Sequence, residues 1–83
     1  MDTQQHKHEE HGPEVTIHIN DHDVRIHRGR QTVAAIKAAG GILLADDLVE
    51  VVNRKPVPLP DDGSVTIKGG EHFISHPKGA GSA

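Results

Sequence analysis

Cysteine, tryptophan and tyrosine are absent from this chain, and phenylalanine occurs once. Without cysteine there is no disulfide, no thiolate nucleophile and no cysteine-ligated zinc. With one aromatic residue the core has to be assembled from Val, Ile, Leu and Ala. A core of that kind in 83 residues leaves little room for a deep catalytic cleft. No apolar run approaches the roughly 20 residues that span a bilayer, and no signal-peptide-like apolar segment opens the chain. An excess of positive charge is missing too: the net charge is -3, and the nine Lys and Arg are scattered. Phosphate binding needs such groups concentrated, so nucleic acid is not an expected partner. These absences predict a single cytoplasmic domain that engages neither nucleic acid nor membrane and carries no cofactor or metal.

What is present divides into three parts. Residues 1–13 hold no apolar residue after Met1 and end in Gly12-Pro13, a composition that cannot supply a packed element, so a disordered leader is expected. From Glu14 strict alternation begins, with Val15, Ile17 and Ile19 on one side and Glu14, Thr16 and His18 on the other, the period of a half-buried strand. Asn20-Asp21-His22-Asp23 supplies turn chemistry, and Val24-Arg25-Ile26-His27 alternates again, which makes a hairpin. Arg28-Gly29-Arg30-Gln31 is expected to break the strand. Thr32 then caps a helix over residues 33–39 that Gly40-Gly41 stops. Such a short helix is unstable alone and must lay Val33, Ile36 and an alanine face on the hairpin.

The stretch Asp47-Leu48-Val49-Glu50-Val51-Val52 is β-branched and strand-like. Pro56, Pro58 and Pro60 lack backbone donors and allow at most a short edge strand over residues 57–59. Asp61-Asp62-Gly63 reads as a turn, Val65-Thr66-Ile67 as a short apolar segment, and Glu71-His72-Phe73-Ile74-Ser75-His76-Pro77 as the last strand. The order strand, strand, helix, strand, edge strand, strand predicts an α+β domain over residues 14–77 of the β-grasp type. One helix would cross a mixed sheet, the last strand lying parallel to the first. The expected core is Val15, Ile17, Ile19, Val24, Ile26, Val33, Ile36 and Phe73.

Several of these runs together resemble the prokaryotic multiubiquitin-type family of bacterial ubiquitin-like proteins. They are Val15-Thr16-Ile17-His18-Ile19-Asn20, the helix ending in Gly40-Gly41-Ile42, Asp47-Leu48-Val49-Glu50-Val51, and Gly69-Gly70-Glu71-His72-Phe73-Ile74-Ser75-His76-Pro77. The resemblance implies a β-grasp ubiquitin-like protein modifier that is not itself an enzyme. Its implied partners are an activating enzyme, a conjugating enzyme, a processing peptidase and target proteins. Two departures stand out: Ala80 separates Gly79 from Gly81 where a Gly-Gly pair is usual, and there is one copy where many relatives are tandem arrays. Two alternatives remain, a sulfur carrier with an adenylated C-terminal glycine and a ubiquitin-like interaction module that is never conjugated.

Residues 78–83, Lys-Gly-Ala-Gly-Ser-Ala, are expected to form a flexible tail. Glycine can thread a narrow enzyme channel, which makes Gly79, Ala80 and Gly81 the candidate conjugation and processing residues, with cleavage after Gly81 preferred over Gly79. On the last strand, Phe73 pointing inward would leave Ile74 outward between His72 and His76, a candidate partner-binding patch. Eight histidines is a high number, yet His6, His8 and His11 lie in the leader beside Glu9 and Glu10 and read as solvated. His18 and His27 are expected to be cross-strand neighbours on the outer face. Asp46-Asp47 and Asp61-Asp62 read as turn and solubility residues.

Overall fold

The computed structural model describes residues 13–78. Two turns of two residues set the register of its two hairpins. Asn20 (φ 50°) with Asp21 (φ 68°) joins β1 (Glu14–Ile19) to β2 (His22–His27), and Asn53 (φ 53°) with Arg54 (φ 67°) joins β4 (Asp46–Val52) to β5 (Lys55–Leu59). Both turns place two successive residues in the left-handed region, the conformation whose twist matches that of antiparallel strands. Between the hairpins run β3 (Gly29–Thr32) and the helix α1 (Val33–Gly40), and after them β6 (Ser64–Ile67) and β7 (His72–Pro77).

Five strands form one mixed sheet in the order β2-β1-β7-β4-β5. The last strand sits in the middle, parallel to β1 (Ile19 opposite Phe73) and antiparallel to β4 (Glu50 opposite Phe73). The domain is therefore a small α+β fold with a five-stranded mixed sheet and one helix. Pro56 and Pro58 do not prevent β5 from pairing along its five residues, Leu48 opposite Leu59 through Val52 opposite Lys55. Two residues apart on an edge strand, both prolines turn their missing donors to the same side, and they blunt an edge that would otherwise recruit another strand.

The segment expected to break after β2 is instead a strand. Residues Gly29 to Thr32 pair antiparallel with Ser64 to Ile67 as a separate two-stranded ribbon. The polar run Gly-Arg-Gln-Thr has no apolar alternation to announce it. What holds it is Ile67, fully buried on its partner strand, and a bond from Gln31 Nε2 to the carbonyl of His27 at 2.9 Å. Thr32 caps α1 as expected, its Oγ accepting from the Ala35 amide at 3.0 Å. Gly41, in the left-handed region at φ 71°, ends it one residue later than expected.

The core joins Ile17, Ile19, Ile26, Val33, Ile36, Leu48, Ile67 and Phe73. Val15 and Val24, expected inside, are partly buried at its margin, while Leu48 and Ile67 complete it. The helix lies very close to β1: a Cβ on Gly40 would stand 2.6 Å from Ile19 Cδ1. Glycine in a helix usually costs about 0.5–1 kcal/mol relative to alanine. Here steric space decides the other way, because Ile19 is itself buried and cannot swing aside.

Phe73 is 1% exposed, so Phe73→Ala should cost about 3–5 kcal/mol in urea unfolding. Gly40→Ala should destabilise the wild type but be tolerated in an Ile19→Val background, which lacks the clashing methyl. Additive effects in that double-mutant cycle would contradict the contact.

Candidate functional site

Alternation along β7 sends Phe73 into the core and Ile74 to the opposite face, where it is 41% exposed. His72 and His76 flank it on the same strand. Across the parallel pairing His72 lies opposite His18, and their rings stack at 4.6 Å between centroids and 20° between planes. His18 is held from its other side by Asp23, Nδ1 to Oδ1 2.9 Å. The expected neighbour, His27, is instead opposite Glu14, because the Asn20-Asp21 turn sets Asp23 against His18. Register also brings residues of β4 and β5 to this face: Val49 lies between Ile74 and Pro58, and Val51 between His72 and Pro56. Ile74 is thus one exposed member of a wider apolar surface, with Pro56 and Pro58 also exposed and histidines along one side.

Asn20 stitches the β1–β2 turn to β7. Its side-chain amide donates to Ser75 Oγ at 2.8 Å and its carbonyl oxygen accepts from the Ser75 amide at 3.0 Å. Parallel pairing between β1 and β7 is short, so this side chain extends it.

The second feature surrounds the root of the C-terminal segment. Lys78 Nζ donates to Asp47 Oδ1 at 2.5 Å and to Asp61 Oδ2 at 2.9 Å. The other oxygen of Asp61 accepts from Lys37 Nζ at 3.1 Å. Lys37 is 1% exposed, though it lies on a helix where lysine ordinarily faces water, and it also donates to the carbonyl of Leu44 at 2.9 Å. The carboxylates read as solubility residues therefore converge: Asp47 from β4 and Asp61 from the β5–β6 turn clasp the last described residue, and Asp61 couples it to a buried ammonium. Donation from Lys78 and Lys37 lowers the Asp61 pKa below its usual value. Bonds to Asp47 and Asp61 raise that of Lys78.

Glu50 is the opposite case. It shares the inner face with Phe73, where burial and then the nearby Glu71 raise its pKa. Glu71 is spent elsewhere, its two carboxylate oxygens accepting from the Lys68 and Gly69 amides at 2.7 and 2.8 Å to brace the β6–β7 turn.

Of the sequence-predicted site residues, Ile74, His72 and His76 share one face, while Gly79, Ala80 and Gly81 lie outside the described residues. Among the described residues no three His, Asp or Glu side chains gather as a metal site, and no helix is long and apolar enough to cross a membrane. Comparison of the chain with protein-family models, curated proteins and solved structures gave no match.

The pKa directions set the pH response. A raised carboxyl retains its proton in the fold, so Glu50 withdraws stability as pH climbs from the ordinary glutamate value of 4.5 through its folded value. Glu50→Gln should raise the melting temperature relative to wild type at pH 7 more than at pH 3. Lowered Asp61 does the reverse: its contribution is present above 3.8 and lost as pH falls through its folded value. Asp61→Asn should therefore destabilise at pH 7 and converge with wild type in acid.

Proposed function

We propose that the chain is a ubiquitin-like protein modifier on a β-grasp domain, a substrate of other enzymes. Support for the β-grasp reading comes from the strand order β2-β1-β7-β4-β5, with the sole helix of the described residues between the two hairpins and the first and last strands parallel at the centre. The observation that carries the functional reading is where β7 ends. It is a central strand, and Lys78, the residue after it, is held by two carboxylates, so the following Gly79, Ala80 and Gly81 depart from a fixed point. A narrow segment leaving a braced domain suits an enzyme that must close around the backbone itself.

In this role a peptidase first removes Ser82-Ala83. An adenylating enzyme then joins the Gly81 carboxylate to the α-phosphate of ATP with loss of pyrophosphate. A conjugating enzyme's nucleophile displaces AMP, and a target amine finally takes the acyl group. Each step acts on the last carboxyl and needs no reactive side chain from the modifier. The Ile74, His72 and His76 face, with Val49 and Val51 beside it on β4, is the surface proposed to meet the activating and conjugating enzymes.

Intact mass of the protein purified from its own cells tests the reading. A chain ending at Gly81, alone or linked to another protein, is the expected result. A thiocarboxylate at the terminus would instead establish a sulfur carrier, and an unmodified Ala83 terminus an unconjugated module. Gly81→Trp should abolish processing and transfer while leaving the melting temperature unchanged. Conjugation at the wild-type level would overturn the assignment of Gly81.

A further inference from the structure

The contacts around Lys78 extend through Asp61 and Lys37 to the loop between α1 and β4. Leu43 and Leu44 are 68% and 67% exposed, the two most exposed of the large apolar side chains among the described residues. Exposure of this kind in a free loop would be unremarkable, but this loop is pinned: the buried Lys37 ammonium donates to the Leu44 carbonyl and, on its other side, to Asp61. Asp61 in turn holds Lys78. One buried lysine therefore links the loop of the paired leucines, through Asp61, to the root of the C-terminal segment. The sheet agrees, since Asp46, two residues after Leu44, lies opposite Pro77, directly before Lys78.

Chain length points to an occupant that works on the C-terminal segment. Three residues span at most about 10 Å, so an active site that opens the bond after Gly81 works within about that distance of Lys78, which Asp61 and Lys37 link to the Leu44 carbonyl. That end also carries Asp46, Asp47, Asp61 and Asp62; Lys37 and Lys78 are paired with Asp61 and Asp47, and Arg30 bonds Ser64 two residues beyond Asp62, which leaves a small surplus of negative charge.

Resting on the modifier reading, we infer that Leu43 and Leu44 are the docking element for the peptidase that trims the C-terminus. The complementary surface is an apolar pocket with a basic rim, entered by the leucines while Lys78 aims the segment into the active site.

The test is release of Ser82-Ala83 from the full chain by an extract of the cells it comes from, followed by intact mass over a range of substrate concentrations. Leu43→Ser with Leu44→Ser should raise KM about tenfold, the loss of one good apolar anchor, with kcat and melting temperature nearly unchanged. Val57→Ser, at the middle of edge strand β5 opposite Glu50, should behave as wild type. Leu44→Lys, repelled by a basic rim, should show the same KM defect if the double variant fails to fold. Wild-type KM in the leucine variants would overturn the inference and leave the modifier reading standing. So would a wild-type dimer in sedimentation that the double variant abolishes, because the leucines would then belong to a second copy. Failure of the wild-type chain itself to be trimmed would overturn both.

Discussion

The parallel contact between the first and last strands is the constraint on which the rest of the domain depends. The amides of His18 and Asn20 donate to the carbonyls of Glu71 and Phe73, and the Gly70 amide donates to that of Thr16, all between 2.8 and 2.9 Å. Parallel strands cannot be joined by a tight turn, so everything between them has to serve as the crossover. The helix, the β4–β5 hairpin and the β3–β6 ribbon do so, and Phe73 ends up beneath the helix at the sheet's centre. Because the last strand is central, its outer residues are flanked on both sides, by β1 through His18 and by β4 through Val49 and Val51. The same placement carries the chain out beside the start of β4, where Asp47 waits.

Relative magnitudes assign the charged groups their roles. Ion pairs in water contribute little to stability, and the pairs of Lys78 are of that kind. Their consequence is directional, since two carboxylates on different elements restrict where Lys78 can point. Lys37 differs because it is buried, and a buried ammonium without partners would be strongly unfavourable. Its bonds to Leu44 and Asp61 are thus obligatory, and the elements supplying them, the α1–β4 loop and the β5–β6 turn, are held in place by that obligation. Stability and presentation are in this way assigned to different members of one chain of contacts.

Much of the fold was legible where one face of an element is buried and the other is not. Alternation in β1 and β2, the Thr32 cap and the glycine stop of α1 are all of this kind. β4 hides its periodicity: Leu48 and Val49 are both buried, on opposite faces, so apolar residues fall on both sides of the strand and the sequence does not tell which of them join Ile74. β3 has no apolar residue and is held by its partner, a tertiary cause without a local signature. Within the site, Ile74 between two histidines could be read from strand period alone. The cluster at Lys78 could not, because it joins residues 37, 47, 61 and 78, and a lysine on a helix reads as solvated until its surroundings are known.

The central claim is that the residues after Lys78 become covalently joined to other proteins through Gly81. Trypsin cuts after lysine, so digestion of proteins carrying this modifier should leave Gly79-Ala80-Gly81 attached to an acceptor lysine. Mass spectrometry of a tryptic digest from the protein's own cells should find branched peptides with that Gly-Ala-Gly remnant. A digest in which this sequence occurs only as the unbranched C-terminal peptide ending at Ala83 would contradict the account.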